Sequence, residues 1–250
     1  MRQLLASWLL LVALPAIAQN TEKLFSNDLE VRTALTFKVS DAAVQKMLPA
    51  GWELNSPADG PTKGVNLSVT LINQTLTQDP DGKPLSPRNY VVLNAPAKKT
   101  GTAIAGTMVF GGFVAQEVVP GAYAVYAPAK VTVDRKQRTD ADGKTSIEET
   151  WEAQADDGST IEIQIQFVRG VPARSKLEAR IYSAAKPDFY RIYRFEQAAD
   201  LVRSTATGVD RVSKFSIKAT GPKLAPLFDG SEQLVSVTSV PYFFRSIYLP

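Results

Sequence analysis

Histidine and cysteine are both absent from the 250 residues of this chain, which narrows the chemistry before any fold is considered. Serine–histidine triads, thiolate nucleophiles, cysteine zinc sites and disulfides are excluded, leaving lysine amines and carboxylates as the reactive groups. Glu117 interrupts the otherwise apolar stretch from Thr107 to Pro120 and is a buried carboxylate or a loop-exposed one. Glu148, Glu149 and Glu152 fall in an alternating hairpin and read as solvated. The acidic and glycine spacing from Asp140 to Glu149 misses a calcium-loop pattern; neither a metal site nor a cofactor is expected.

The elements that must hold these residues read mostly as strands. Ile161, Ile163, Ile165 and Phe167 alternate with Glu162, Gln164 and Gln166, the period-two pattern of a strand with one buried and one wet face. Asp156-Asp157-Gly158-Ser159 turns the chain into it from Ile147–Ala155, and Asp140-Ala141-Asp142-Gly143 makes the turn after Val131–Val133, giving a three-stranded meander. Further strands are expected over Arg32–Val39, Gly64–Thr75, Tyr90–Ala95, Thr102–Phe113, Ala122–Tyr126, Lys214–Thr220 and Gln233–Tyr242. Helices are expected over Asp41–Leu48 with Ser40 as N-cap, over Asp188–Arg203 behind Pro187, and as a short turn from Pro222 to Phe228. Many strands with a few helices indicate a mainly β (α+β) chain closed into a barrel, because closure removes exposed edges. Tyr90, Phe110, Phe113, Tyr123, Tyr126, Trp151 and Phe167 would line its cavity or fill its core.

Arg2, the apolar run Leu4–Ala16 and the small-residue pattern Ala16-Ile17-Ala18 before Gln19 read as a signal peptide over residues 1–18, and hence as a secreted or periplasmic protein. The run is short of the ~20 residues of a membrane span, and no later stretch reaches that length, so no stable span is expected after cleavage. Residues 19–250 are expected to form one domain. Removing Arg2 takes the formal charge from +3 to +2. The basic residues do not cluster, so no nucleic-acid partner is expected.

Leu35-Thr36-Phe37-Lys38-Val39-Ser40-Asp41, continuing through Met47-Leu48-Pro49 to Trp52-Glu53-Leu54, resembles the opening strand, helix and proline stop of the acetoacetate decarboxylase-like superfamily. Ala225-Pro226-Leu227 followed by Leu234–Val237 resembles its closing segment, and Asp157-Gly158 leading into Ile161–Val168 its central hairpin. The resemblance implies a cone-shaped antiparallel β-barrel with a central cavity, often as a homo-oligomer. It also implies, for the decarboxylase itself, an imine at a lysine that a hydrophobic cavity and a second cation keep neutral. In that family two successive lysines follow a tyrosine-proline pair; in the nearest match, Tyr126-Ala127-Pro128-Ala129-Lys130-Val131, Ala129 takes the nucleophile's place and Lys130 the helper's. Lys130 is then either a strand-end lysine whose ammonium reaches solvent or a residue that turns into the cavity and forms an imine or pairs with a ligand carboxylate. The family's glutamate falls on Val92, two residues after Tyr90. Its arginine falls on Glu30, with Arg32 a pair of residues away. Three losses from a constellation that acts as a unit argue against inherited decarboxylation, and strand parity favours ligand pairing over catalysis at Lys130.

The sequence thus reads as an exported protein that holds a small, partly apolar, anionic molecule in a barrel cavity, with Arg32, Tyr90, Phe110, Glu117 and Tyr126 as ligand-binding candidates. A keto-acid decarboxylase-like lyase with Lys130 as catalytic amine is the alternative. A noncatalytic envelope or interaction protein is the third reading.

Overall fold

The period-two segments become strands, and their pairing order closes the sheet on itself. The computed structural model describes residues 22–250; the leader expected over residues 1–18 lies outside them. In chain order the elements are β1 (Lys23–Lys38), α1 (Asp41–Gln45), β2 (Trp52–Leu54), β3 (Leu67–Gln78), β4 (Pro84–Leu85), β5 (Asn89–Lys99), β6 (Ala105–Val114), β7 (Ala127–Thr139), β8 (Thr145–Ala155), β9 (Thr160–Arg169), β10 (Ala173–Ser183), β11 (Tyr190–Ser204), β12 (Val209–Asp210), β13 (Val212–Thr220) and β14 (Gln233–Leu249). Seven strands pair in the circular order β1-β3-β5-β6-β10-β11-β14 and back to β1, so this ring has no free edge. Its pairs are antiparallel except β6 with β10. β7 departs from β6 through a parallel contact at Phe113–Ala127 and Val114–Pro128. From there β7, β8, β9 and β13 build a flanking antiparallel sheet.

Alternation along each strand decides which side chains enter the ring. On β10 the exposed Arg174, Lys176, Glu178 and Arg180 face solvent, whereas Ile181 faces the other way. Ile181 meets Ile72, Val92, Val109, Tyr193 and Ile247 in a cluster inside the ring. The outer face of the ring carries a larger core, in which Leu35, Phe37, Leu71 and Leu93 pack with Trp151, Ile163 and Phe167 of the flanking sheet. Ile161, Ile163, Ile165 and Phe167 are all buried, so the pattern read from β9 is its packing. β1 serves both regions: Asp28, Glu30 and Arg32 belong to the inside, and Thr33, Leu35 and Phe37 lie beneath the flanking sheet.

Three local expectations change. The helix expected over Asp188–Arg203 is strand β11, which pairs with β10 on one side and β14 on the other. Phe189, Ile192, Tyr193 and Leu201 fit a helical spacing, but aromatic and β-branched residues also suit a sheet, and pairing on both edges overrides the proline start signal. Ala122–Tyr126 is a turn rather than a strand. α1 stops at Gln45, and Ser40 caps it only through its carbonyl, which accepts the Ala43 and Val44 amides at 3.1 and 3.2 Å. Strand β10 was not anticipated, because its outer face carries the charge pattern of a surface loop.

Candidate functional site

Four strands and one loop bring charge and phenols into the ring. Asp28, Glu30 and Arg32 come from β1, Tyr90 from β5, Arg191 and Tyr193 from β11, and Phe243 and Arg245 from β14. Tyr123 and Tyr126 arrive on the segment between β6 and β7. Arg32 Nε donates to Glu30 Oε2 at 2.5 Å, and its guanidinium lies 3.5 Å from the centroid of the Phe243 ring. Arg245 Nη2 stands 2.8 Å from the other Glu30 oxygen, and its Nε donates to Asp28 Oδ2 at 3.1 Å. Asp28 also accepts the Thr77 hydroxyl.

Burial disfavours both guanidinium charges, but the outcomes differ. Arg32 is drawn below the usual guanidinium value by burial, with Glu30 opposing and Arg245 adding repulsion. For Arg245 the carboxylates of Glu30 and Asp28, together with the Tyr193 phenol, outweigh burial and hold it well above that value. Two acidic neighbours against one account for the contrast.

A chain of phenols crosses the interior from β5 to β11. The rings of Tyr90 and Tyr126 lie 5.9 Å apart, those of Tyr126 and Tyr123 6.4 Å apart, and the Tyr123 hydroxyl donates to that of Tyr193 at 2.6 Å. Burial raises Tyr90, Tyr123 and Tyr126 above the usual phenol value, with Tyr193 adding to the effect at Tyr123. They are therefore neutral hydrogen-bond donors. Two hydroxyls joined by one shared contact still hold a second proton, so one O–H of the Tyr123–Tyr193 pair is left to point elsewhere in the interior. The Tyr126 ring is held between two glycines: a Cβ at Gly112 would stand 2.9 Å from its Cδ1, and one at Gly121 would overlap its Cδ2.

Arg191 differs from the other two arginines. It is only 9% exposed, and its guanidinium lies 4.1 Å from the Phe25 ring centroid and 5.9 Å from that of Tyr123. Its Nε is buried without an acceptor, and it forms no ion pair among the described residues. Three interior guanidinium groups thus face two carboxylates, Asp28 and Glu30, a surplus of one positive charge.

Arg32, Tyr90 and Tyr126, singled out from the sequence, come together in this interior. Phe110 packs instead against the core on the outer face of the ring. Glu117 is exposed and ion-paired with Arg88 Nη2 at 3.3 Å. Lys130 is exposed on β7 opposite Gln154 of β8, while its neighbour Ala129 is buried; the amine points away from the ring interior and from the core. Val92, at the position where the resemblance puts a glutamate, is inside the ring. Glu149 is buried rather than solvated, and accepts the Thr33 hydroxyl, Arg135 Nε and Trp151 Nε1 at 2.9–3.0 Å. Its parity with Ile147 and Trp151 was the available signal. Asp28, Arg191, Tyr193 and Arg245 escaped sequence reading. For Arg191 and Tyr193 the signal was the alternation Phe189, Arg191, Tyr193, Phe195, masked by the helical reading of that segment.

No protein-family model matches the chain, and no curated protein sequence does. Solved structures do. An acetoacetate decarboxylase-like enzyme from Sphingomonas wittichii RW1 aligns over 91% of this chain and 93% of its own, with a TM-score of 0.54 and 11% identity. The enduracididine biosynthesis enzyme MppR complexed with pyruvate aligns over 93% and 91%, with a TM-score of 0.55 and 11% identity. The same enzyme with HEPES bound aligns over 90% and 86%, with a TM-score of 0.53 and 8% identity. At such identities the likeness is one of fold, and the chain has the acetoacetate decarboxylase-like fold.

Proposed function

We propose that this acetoacetate decarboxylase-like chain binds a small carboxylate inside its ring. The observation that carries the reading is Arg191, a buried guanidinium that forms no ion pair among the described residues, beside a phenol pair with one proton to spare. A buried charge is tolerated when something pairs with it, and a carboxylate with a second oxygen further along would meet both donors. The aromatic walls supply the apolar contacts usual in a small-molecule site. Pyruvate, seen bound to MppR, is the natural first probe.

Calorimetric titration with pyruvate and 4-fluorobenzoate, alongside their uncharged amides, tests the reading. Binding of a carboxylate but not of its amide, reduced about thirtyfold or more in Arg191→Met, is the expected result; this range matches the loss of one buried charge-assisted pair. Equal binding to parent and Arg191→Met would remove the proposal. An imine at Lys130 has less support, because the amine stands on an exposed face. Borohydride trapping with pyruvate, compared with Lys130→Ala, tests that alternative directly. Export and self-association belong to the same proposal, and are tested by the mature N-terminus of protein recovered from cells and by sedimentation. Among the described residues no helix is long and apolar enough to cross a membrane.

A further inference from the structure

The segment Ala115–Tyr126, between β6 and β7, contributes two of the interior phenols yet belongs to no strand of the ring. It lies across one end of the ring, where β5 and β11 begin and β6 and β10 end. On one side the Ser183 hydroxyl, at the end of β10, donates to the Tyr123 carbonyl at 2.5 Å. On the other, Glu117 pairs with Arg88 Nη2 at 3.3 Å, just before β5. The Arg88 backbone is itself fixed, donating to Gln74 Oε1 at 3.1 Å and accepting the Gln74 amide at 3.0 Å. Arg191, near the start of β11, sits at this same end with its guanidinium 5.9 Å from the Tyr123 ring.

The attachments are unequal. The inner face is aromatic, with Tyr123 buried and Tyr126 half-buried, whereas in the Glu117–Arg88 ion pair Glu117 keeps 58% of its side chain accessible and Arg88 24%; pairs open to water in this way are weak and readily broken. Within the segment, Gly121 (φ 69°) and Ala124 (φ 55°) occupy the positive-φ region; the Tyr126 ring lies close against Gly121 and against Gly112 (φ 148°) of β6, leaving no room for a Cβ at either. Hinges are formed by a few positions that absorb large backbone changes.

We infer that Ala115–Tyr126 is a lid over the ring interior, held shut by the Glu117–Arg88 ion pair, and that a ligand enters and leaves when this pair opens and Tyr123 and Tyr126 withdraw. The inference rests on the carboxylate-binding reading above. It gives Glu117 a role in exchange rather than in contact with the ligand, since its carboxylate would repel one.

The absence of cysteine makes a clean test available, because Arg88→Cys with Glu117→Cys introduces the only two thiols in the chain, which bismaleimidoethane can join. Two readings are taken on parent, Glu117→Gln, and the double variant before and after cross-linking: amide hydrogen exchange across 115–126, and exchange of 4-fluorobenzoate followed by fluorine NMR. Cross-linking is expected to slow both by about tenfold or more, and Glu117→Gln to speed both by about two- to fivefold, the range for one exposed ion pair. Unchanged amide exchange on cross-linking would overturn the lid. Slower amide exchange with unaltered ligand exchange would overturn its gating role while leaving the carboxylate site standing. Failure of the parent to bind the probe and pyruvate would remove the carboxylate reading, and the gate with it.

Discussion

Glu149 of the flanking sheet receives the Thr33 hydroxyl of the ring at 2.9 and 3.0 Å, joining residues 116 apart in sequence. The same carboxylate takes Arg135 Nε and Trp151 Nε1, each at 2.9 Å, and Arg135 reaches on to Asn73 of β3 at 3.4 Å. One acid thus gathers three donors, Thr33 from the ring and Arg135 and Trp151 from the flanking sheet, in a buried seam. Glu149→Leu leaves Arg135 and Trp151 without their acceptor and is expected to destabilise by about 3 kcal/mol. Adding Arg135→Leu should recover more than half of that loss. Urea denaturation of the single and double variants checks both.

Arg191→Met is expected to act in the opposite sense on stability. Removing a buried guanidinium that has no carboxylate partner among the described residues relieves desolvation, and the lost contacts with Phe25 and Tyr123 offset only about 1 kcal/mol. The ligand-free variant should therefore match or exceed the parent in denaturation midpoint even as it loses carboxylate binding. A fall of more than about 2 kcal/mol would show that Arg191 supports the fold instead.

Alkaline pH should weaken the protein through its buried phenols. Burial raises Tyr123 and Tyr126 above the unfolded value of about 10, so the folded state holds these protons more tightly than the unfolded chain. Their contribution is intact below about pH 10 and is lost as pH rises toward the folded values, at about 1.4 kcal/mol per pH unit for each phenol. Tyr126→Phe should remove one such increment from the slope. Denaturation midpoints between pH 9 and 11.5, with tyrosinate absorbance followed in parallel, measure it.

Two adjacent glycines should respond differently to the same change. A Cβ at Gly112 would overlap the Val91 carbonyl oxygen and press on the Tyr126 ring at 2.9 Å, with φ at 148°. At Gly111 the nearest atom is a Leu93 methyl at 3.4 Å. Gly112→Ala is expected to cost about 2 kcal/mol or more, from strain and displacement of Tyr126, and Gly111→Ala well under 1 kcal/mol. Thermal unfolding of the two variants decides.

What the sequence disclosed was the part that repeats locally. The alternation of Ile161, Ile163, Ile165 and Phe167 marked β9 because each residue meets the same core two positions on. Arg32, Tyr90 and Tyr126 were reachable through context and family resemblance. The rest of the interior depends on distant pairing. Asp28 meets Arg245 only because β1 lies beside β14, and Tyr123 meets Tyr193 only because a turn folds into the ring. Neither proximity leaves a trace in local spacing. Lys130 shows the converse: its chemistry attracted notice, but one residue of strand parity sends it outward while Ala129 turns in.

The ring is closed by its first and last strands, with Lys23 opposite Leu249 and Lys38 opposite Gln233. A ribosome delivers β1 long before the partner it needs, so that strand waits with one edge unsatisfied through synthesis of everything between them. Closure is necessarily a late event, and such long-range pairing makes folding slow. A chain interrupted before β14 would carry two facing templates, β1 and β11, open to pairing with other molecules. A premature stop near the C-terminus should therefore yield aggregates rather than a slightly smaller version of the same fold.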